Sequence, residues 1–204
     1  VDDRPYGGGP GMVMLAAPLK STLTAIKKTL NLNNKNKVIL FSPIGKQINQ
    51  GLIERFVSNK HKSHQFSLIC GRYEGIDQRV IDKYVDEEIS VGDFILSGGE
   101  YAALCLIDAV SRHIPGTLGN RDSYLKDTFS NGLLKGDVYS KPEIFESMKV
   151  PEVLLSGNHK KIDDWRSENS LLKTFKKRPD LLDHIKLTKK QKKLLEEWAS
   201  KAIL

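Results

Sequence analysis

Cysteine is scarce in this chain. Cys70 and Cys105 are the two among 204 residues, with neither C-x-x-C spacing nor a histidine cluster beside them. That excludes a disulfide framework and a zinc site of ordinary ligand spacing, and both read as reduced, structural thiols of a cytosolic protein. Histidine occurs five times, never in a metal-ligand spacing, and aromatic residues make up 7%. No apolar run approaches the ~18 residues that suggest a membrane span. The longest, YAALCLIDAV at 101–110, is broken by Asp108 and reads as a buried amphipathic helix. The opening V-D-D-R-P carries no apolar signal core to direct export, so a cytoplasmic location is expected. Also missing are the dinucleotide fingerprint G-x-G-x-x-G, the Walker loop and a nucleophile elbow. Their absence disfavours a Rossmann cofactor, a nucleoside triphosphate and serine-based hydrolysis.

What the chain has instead is a recurrence. VILFSPIG (38–45), FSLICGRYEG (66–75) and EISVGDFILSGGE (88–100) each run an apolar, β-prone segment straight into a glycine-containing turn. Glycine turns at strand ends leave backbone N–H and C=O groups where a small ligand can reach them, so three together suggest one pocket built from loop backbone. Periodicity predicts helices near 21–30, 47–58, 76–84 and 99–113, alternating with strands at 38–42, 66–70 and 86–91. That rhythm is an α/β layer fold with a mostly parallel sheet. The stretch 116–132 has no sustained period and reads as a mobile interdomain loop. Beyond it the pattern is helical: Asn158 as a cap, Pro179 opening a short helix, and a Thr188-x-x-Gln191 capping box before the last helix. The GGGPGM run at 7–12 follows no predicted strand and by itself reads as a flexible turn.

Charge is segregated. Residues 160–204 hold 13 Lys/Arg against 7 Asp/Glu, whereas residues 1–159 hold 19 against 18. A basic appendage on a nearly neutral body is the electrostatic form of a polyanion binder, although a solvated lysine-rich helix face would look the same.

Six segments, VDDRPYGGGPGM (1–12), SPIGK (42–46), CGRYEGIDQRV (70–80), DEEISVGDFILSGGE (86–100), LIDAVSRHIPG (106–116) and LLSGNH (154–159), are collinear with a known pattern. In them the chain resembles the bacterial tRNA (guanine-N1)-methyltransferases, which act on the guanine at tRNA position 37, beside the anticodon. The resemblance implies a SPOUT-type α/β fold with a C-terminal trefoil knot, spanning 1–115, then a mobile loop at 116–132 and a small basic helical tRNA-binding domain at 133–204. By that pattern a strand and a helix would precede Val1. The implied assembly is a homodimer with the active site at the subunit interface.

The resemblance also implies site residues. S-adenosylmethionine would be held by backbone around Leu40, Ser42, Pro43 and Gly45, and by Val91, Gly92, Asp93, Phe94, Ile95 and Leu96. Gly71, Tyr73, Glu74, Gly98 and Gly99 would line the rest. Taken alone, Glu74 reads as a turn residue capping the next helix. Guanine N1 must lose its proton as it attacks, and charge then develops on O6. The family pattern places the base at Asp127 and the O6 partner at Arg112; out of that context they are a linker acid and a helix-terminal cation. Asp2, Arg4 and Ser123 would contact the tRNA. The pattern also brings in a divalent cation, Mg2+, for which no ligand spacing is legible. One stretch departs: after GLL the family continues with Asp and a His-Tyr-Thr-Arg-Pro-like run, where this chain has Lys135-Gly136-Asp137-Val138-Tyr139-Ser140-Lys141-Pro142. Another SPOUT RNA target and a non-catalytic RNA-binding protein stand as the alternatives.

Overall fold

The computed structural model describes residues 1–29, 36–58, 65–114, 116–117 and 127–202. It divides into two compact units, Val1–Leu118 and Gly119–Leu204.

In the first unit, β1 (Asp2–Asp3) and β2 (Val13–Met14) pair antiparallel and are followed by α1 (Ala16–Thr29). Then β3 (Asn36–Gln47), α2 (Gln50–Val57), β4 (Gln65–Cys70), α3 (Gln78–Tyr84), β5 (Glu87–Ser90) and α4 (Glu100–Ser111) build a parallel sheet of order β4-β3-β5. The continuous apolar run of β3 is what a strand buried on both faces requires. Ile39 and Phe41 point into a core with Leu52, Ile53 and Phe56 of α2, Ile89 of β5, and Ala102, Ala103 and Leu106 of α4. Val38 and Leu40, on the other face, meet Ile69, Ile76 and Val80. Side chains alternate faces along a strand, so one tetrapeptide anchors both cores.

Helix boundaries follow from caps. The Asn49 side chain accepts from the Leu52 N–H at 2.9 Å, which starts α2 at Gln50, later than the predicted 47. Asp77, not Glu74, caps α3 by accepting from the Arg79 N–H at 2.9 Å. The predicted 21–30 helix begins earlier, at Ala16, and Leu30 lies outside the described residues. Helix α4 buries only Ala102, Ala103 and Leu106, and Tyr101, Leu104, Cys105 and Ile107 are exposed, so the apolar run at 101–110 is not buried all round.

The second unit contains α5 (Glu152–Leu155), α6 (His159–Lys177), a 3-10 turn at Pro179–His184 and α7 (Lys189–Ala202). It also has a hairpin, β6 (Ile144–Phe145) with β7 (Met148–Lys149), which the helical expectation omitted. Its loop residues Glu146 and Ser147 both have positive φ, 48° and 68°. Such turns are announced by Asn-Gly or Asp-Gly, and strands of two residues cannot show alternation. Asn158 caps α6, and Thr188 and Gln191 exchange hydrogen bonds of 2.9 and 3.2 Å as the capping box requires. The entry to this unit is stitched to α6: Thr174 Oγ1 accepts from the Leu134 N–H at 2.9 Å, and Ser170 Oγ donates to the Leu134 carbonyl at 2.5 Å. Phe175 and Trp198 meet at 6.2 Å between α6 and α7. Among the described residues no helix is long and apolar enough to cross a membrane.

Hydrogen bonds from Arg79 hold the Asp77 carboxyl at about 2, against an ordinary 3.8. A carboxylate depressed by folding stabilises fully above its ordinary value and loses that contribution as pH falls through its folded value. The melting temperature is therefore expected to fall as pH drops from about 5 to about 2, and Asp77→Asn to flatten that fall. Parallel wild-type and Asp77→Asn curves in a circular-dichroism titration would remove Asp77 from the acid response.

Candidate active site

The three glycine turns lie at the C-terminal ends of β3, β4 and β5 in the first unit, where ligands of open parallel sheets bind. The first is a bulge. Phe41 and Lys46 both pair with Ile89, so the intervening residues, Ser42 to Gly45, leave the regular ladder, and the Ile44 N–H donates to Ser42 Oγ at 3.4 Å. Leu40 remains inside the ladder, paired with Ile69 and Glu88 and 3% exposed. Gly45 passes so close to β5 that a Cβ would lie 2.5 Å from the Ile89 nitrogen.

The second and third turns are joined directly. The Gly99 N–H donates to the Gly71 carbonyl at 3.0 Å, and Arg72 bridges to Gly98. A Cβ on Gly99 would sit 2.8 Å from Cys70 Cα, so only glycine permits this approach. Arg72 forms an ion pair with Glu100 at 2.8 Å. Glu100's own backbone N–H first, and Arg72 second, hold its carboxyl below the usual range. Burial chiefly, with Glu100 adding to it, raises the Cys70 thiol. The segment Val91–Leu96 is tied back to β3 by Gln47 Nε2 donating to Asp93 Oδ1 at 2.7 Å and by the Ile48 N–H donating to the Ser90 carbonyl at 2.8 Å. Gly92 is fixed by its N–H donating to Ser90 Oγ at 3.1 Å.

Tyr73 has φ 62°, a region that non-glycine residues enter at a cost and that is over-represented at ligand sites. It is exposed, as are Ile44, Phe94, Ile95 and Leu96, so the turns carry an apolar rim in contact with solvent. Loop backbone with an apolar rim suits S-adenosylmethionine, whose adenine needs edge hydrogen bonds and a face to lie on. Beside Tyr73, the Glu74 N–H donates to the Met12 carbonyl at 3.0 Å, and the Met14 N–H to the Gly75 carbonyl at 3.0 Å. Through the pairing Asp2↔Met14, β1 therefore brings Asp2 beside the second turn, and Arg4 follows just past the end of β1. The glycine-rich 7–12 run is thus docked at its end against a candidate ligand loop.

Arg112 follows α4 as its C-cap, in the first unit, its N–H donating to the Asp108 carbonyl at 3.3 Å. Asp127 belongs to the second unit. Its Oδ1 accepts from the Thr128 N–H at 2.9 Å, and its carbonyl accepts from Ser130 Oγ at 2.7 Å. Phe129, with φ 71°, closes the turn by donating to the Leu133 carbonyl at 2.8 Å. Lys135, the first departing residue, puts its Nζ 3.9 Å from Asp127 Oδ1. Ser123, like residues 118–126 of the predicted loop, lies outside the described residues. Among the described residues no group of three His, Cys, Asp or Glu converges to hold a metal ion. Gln47, Arg72 and Glu100 escaped the sequence reading because each acts by tying one turn to another, and their spacings of 46 and 28 residues carry no local signal.

A family model described as tRNA (Guanine-1)-methyltransferase TrmD matches residues 1–184. Among curated proteins, a tRNA (guanine-N(1)-)-methyltransferase of Buchnera aphidicola is 54% identical over 197 residues, 97% of this chain and 72% of that protein. Proteins of the same name from Vibrio vulnificus and Listeria monocytogenes are 48% and 47% identical. Those matches cover 97% and 98% of this chain, and 77% and 79% of the respective relatives.

Replacing Gly99 by alanine forces its Cβ into β4 backbone, which cannot yield as a flexible side-chain end would. The expected outcome is a loss of about 1–3 kcal/mol in denaturant unfolding, together with weaker S-adenosylmethionine binding by calorimetry. Alanine at Gly75, where no atom lies within 4 Å, tests φ strain alone and should leave the turn-to-turn contact intact.

Proposed function

The chain belongs to the tRNA (guanine-1)-methyltransferase family, and we propose that it transfers a methyl group from S-adenosylmethionine to N1 of guanine 37 in tRNA, next to the anticodon. The observation that carries this reading is the convergence of the three glycine turns, with Gly99 bonded to Gly71 and the Ser42–Gly45 bulge displaced from the ladder. The bound cofactor supplies an activated methyl on a sulfonium centre. The chain's own residues orient, deprotonate and stabilise. Backbone of Ser42, Pro43, Gly45 and Val91–Leu96, with Leu40 at the strand end, holds the adenosine. Gly71, Tyr73, Gly98 and Gly99 close the rest, and the Glu74 carboxylate faces the sulfonium or amino group.

Asp127 takes the N1 proton as the nitrogen attacks, and Arg112 balances the charge developing on O6. Proton removal matters because N1 carries no free lone pair while protonated. Asp2 and Arg4 contact the target base with Ser123, and the basic helices of 133–204 take the phosphates. The fold reading that goes with this is a SPOUT domain over 1–115 with a trefoil knot, a loop over 116–132 and a helical tRNA-binding domain. The exposed apolar residues Tyr101, Leu104 and Ile107 of α4 support a homodimer whose active site forms at the subunit interface, since a soluble monomer rarely leaves such a face uncovered. The location that goes with a tRNA substrate is the cytoplasm.

Labelled methyl transfer to unmodified tRNA carrying guanine 37, beside the same tRNA with adenine there, tests the reading. Label on the first substrate alone is the expected result. Label on both points to another SPOUT target, and label on neither, with cofactor still bound, points to a non-catalytic RNA binder. Asp127→Ala is expected to lower the single-turnover rate by about 100-fold or more, the usual worth of a positioned base, with cofactor affinity unchanged. A variant that keeps its rate would remove Asp127 from the chemistry.

A further inference from the structure

A groove of about 910 Å3 lies wholly within the second unit, apart from the turns proposed for the cofactor and from Asp127. Its volume falls in the ~300–1,000 Å3 range of small-ligand pockets. Ile162, Trp165 and Arg166 of α6 form one side, the extended stretch 137–143 another, and Val150 with Leu154 and Leu155 of α5 a third. The extended wall is tied to α6 at its first residue, Asp137. The Asp137 N–H donates to Asn169 Oδ1 at 2.6 Å, and Lys173 Nζ donates to Asp137 Oδ1 at 2.8 Å. Lys173 chiefly, with Asn169, keeps that carboxyl ionised and below the usual range. One of the two lining acids is therefore neutralised from outside the groove, which leaves Lys141, Glu143 and Arg166 as its charged rim, with Arg166 also 3.6 Å from Asp163 one turn back on α6. Tyr139, 49% exposed, stands 6.3 Å from the Trp165 ring at 53°.

An aromatic face that is half open to solvent, beside a second ring and near a lysine and an arginine, has the chemistry that holds a single-stranded base: stacking on the ring and a cation for the adjoining phosphate. The surrounding basic excess of residues 160–204 would draw a polyanion to this unit. We propose that the groove binds an unstacked base of the RNA substrate, its ring lying on Tyr139 and its neighbouring phosphate beside Arg166 or Lys141. This rests on the reading that the chain acts on tRNA. A second copy of the chain is the less suitable occupant, because docking it would bury Lys141, Glu143 and Arg166 without a partner supplied by the groove itself.

The test uses the full chain and tRNA carrying 5-iodouridine at unpaired positions, with photo-crosslinks mapped by mass spectrometry. Crosslinks to Tyr139 or Trp165 are expected. Tyr139→Ala is expected to weaken tRNA binding about tenfold, the worth of one stacked base, while Tyr139→Phe, which keeps the ring, stays within about twofold of wild type on the same stacking account. The salt dependence of Tyr139→Ala binding should match wild type, since a ring contact releases no counterions. Wild-type affinity in Tyr139→Ala, or crosslinks confined to other segments, would overturn the assignment. So would a change of Tyr139→Ala to a smaller species in sedimentation with tRNA affinity intact, which would give the groove to a second copy. A wild-type protein that binds no tRNA would sink the broader functional reading, and this inference with it.

Discussion

The contact on which the first unit's site depends is the hydrogen bond from the Gly99 N–H to the Gly71 carbonyl. It joins the end of β4 to the start of α4, elements whose strands are not neighbours in the sheet: β3 lies between β4 and β5. A side chain at Gly99 would collide with the backbone of Cys70 and hold the turns apart, and the Arg72–Glu100 ion pair spans the same junction. The Ser42–Gly45 bulge completes the arrangement from the middle strand. Gly45 rests on β5 backbone, so the bulge is supported by the neighbouring strand. A pocket lined by backbone needs this kind of anchoring, because loop amides bind well only when their positions are fixed before the ligand arrives.

The second unit is held by a different balance of forces. Among its described residues Leu133, Leu171 and Thr174 are buried, and polar bonds join the 133–137 stretch to one face of α6. Each buried partner is satisfied: Thr174 Oγ1 both accepts from Leu134 and donates to Ser170. This stitching seats the extended segment that presents Tyr139, and the turn that follows Asp127 is closed by its own local bonds. The unit thus offers fixed polar and aromatic groups on a charged surface, which suits recognition of a polyanion better than enclosure of an apolar ligand.

Lys135 shows how a local departure changes a site's electrostatics without changing its frame. The turn after Asp127 is made by Thr128, Phe129, Ser130 and Leu133. Lys135 contributes its backbone N–H to Thr128 Oγ1 at 3.2 Å and its ammonium to the vicinity of Asp127. An exposed pair at that distance is worth little to stability, so the substitution bears on charge near the acid more than on folding.

The sequence by itself determined the α/β rhythm, the parallel strands at their approximate positions, the caps at Asn158 and Thr188, and the three glycine turns, because each of these is encoded by neighbours a few residues apart. Family membership was legible for the same reason, in short collinear motifs. What only the tertiary structure decided was which turn touches which, that Asp77 rather than Glu74 caps α3, that α4 leaves Tyr101, Leu104 and Ile107 outward, and that a hairpin with Glu146 and Ser147 at its tip interrupts the helical unit. The turn contacts depend on groups brought together from 28 to 46 residues apart, and the hairpin tip on positive φ at Glu146 and Ser147 that its residue types do not announce. Spacing along the chain carries no record of either.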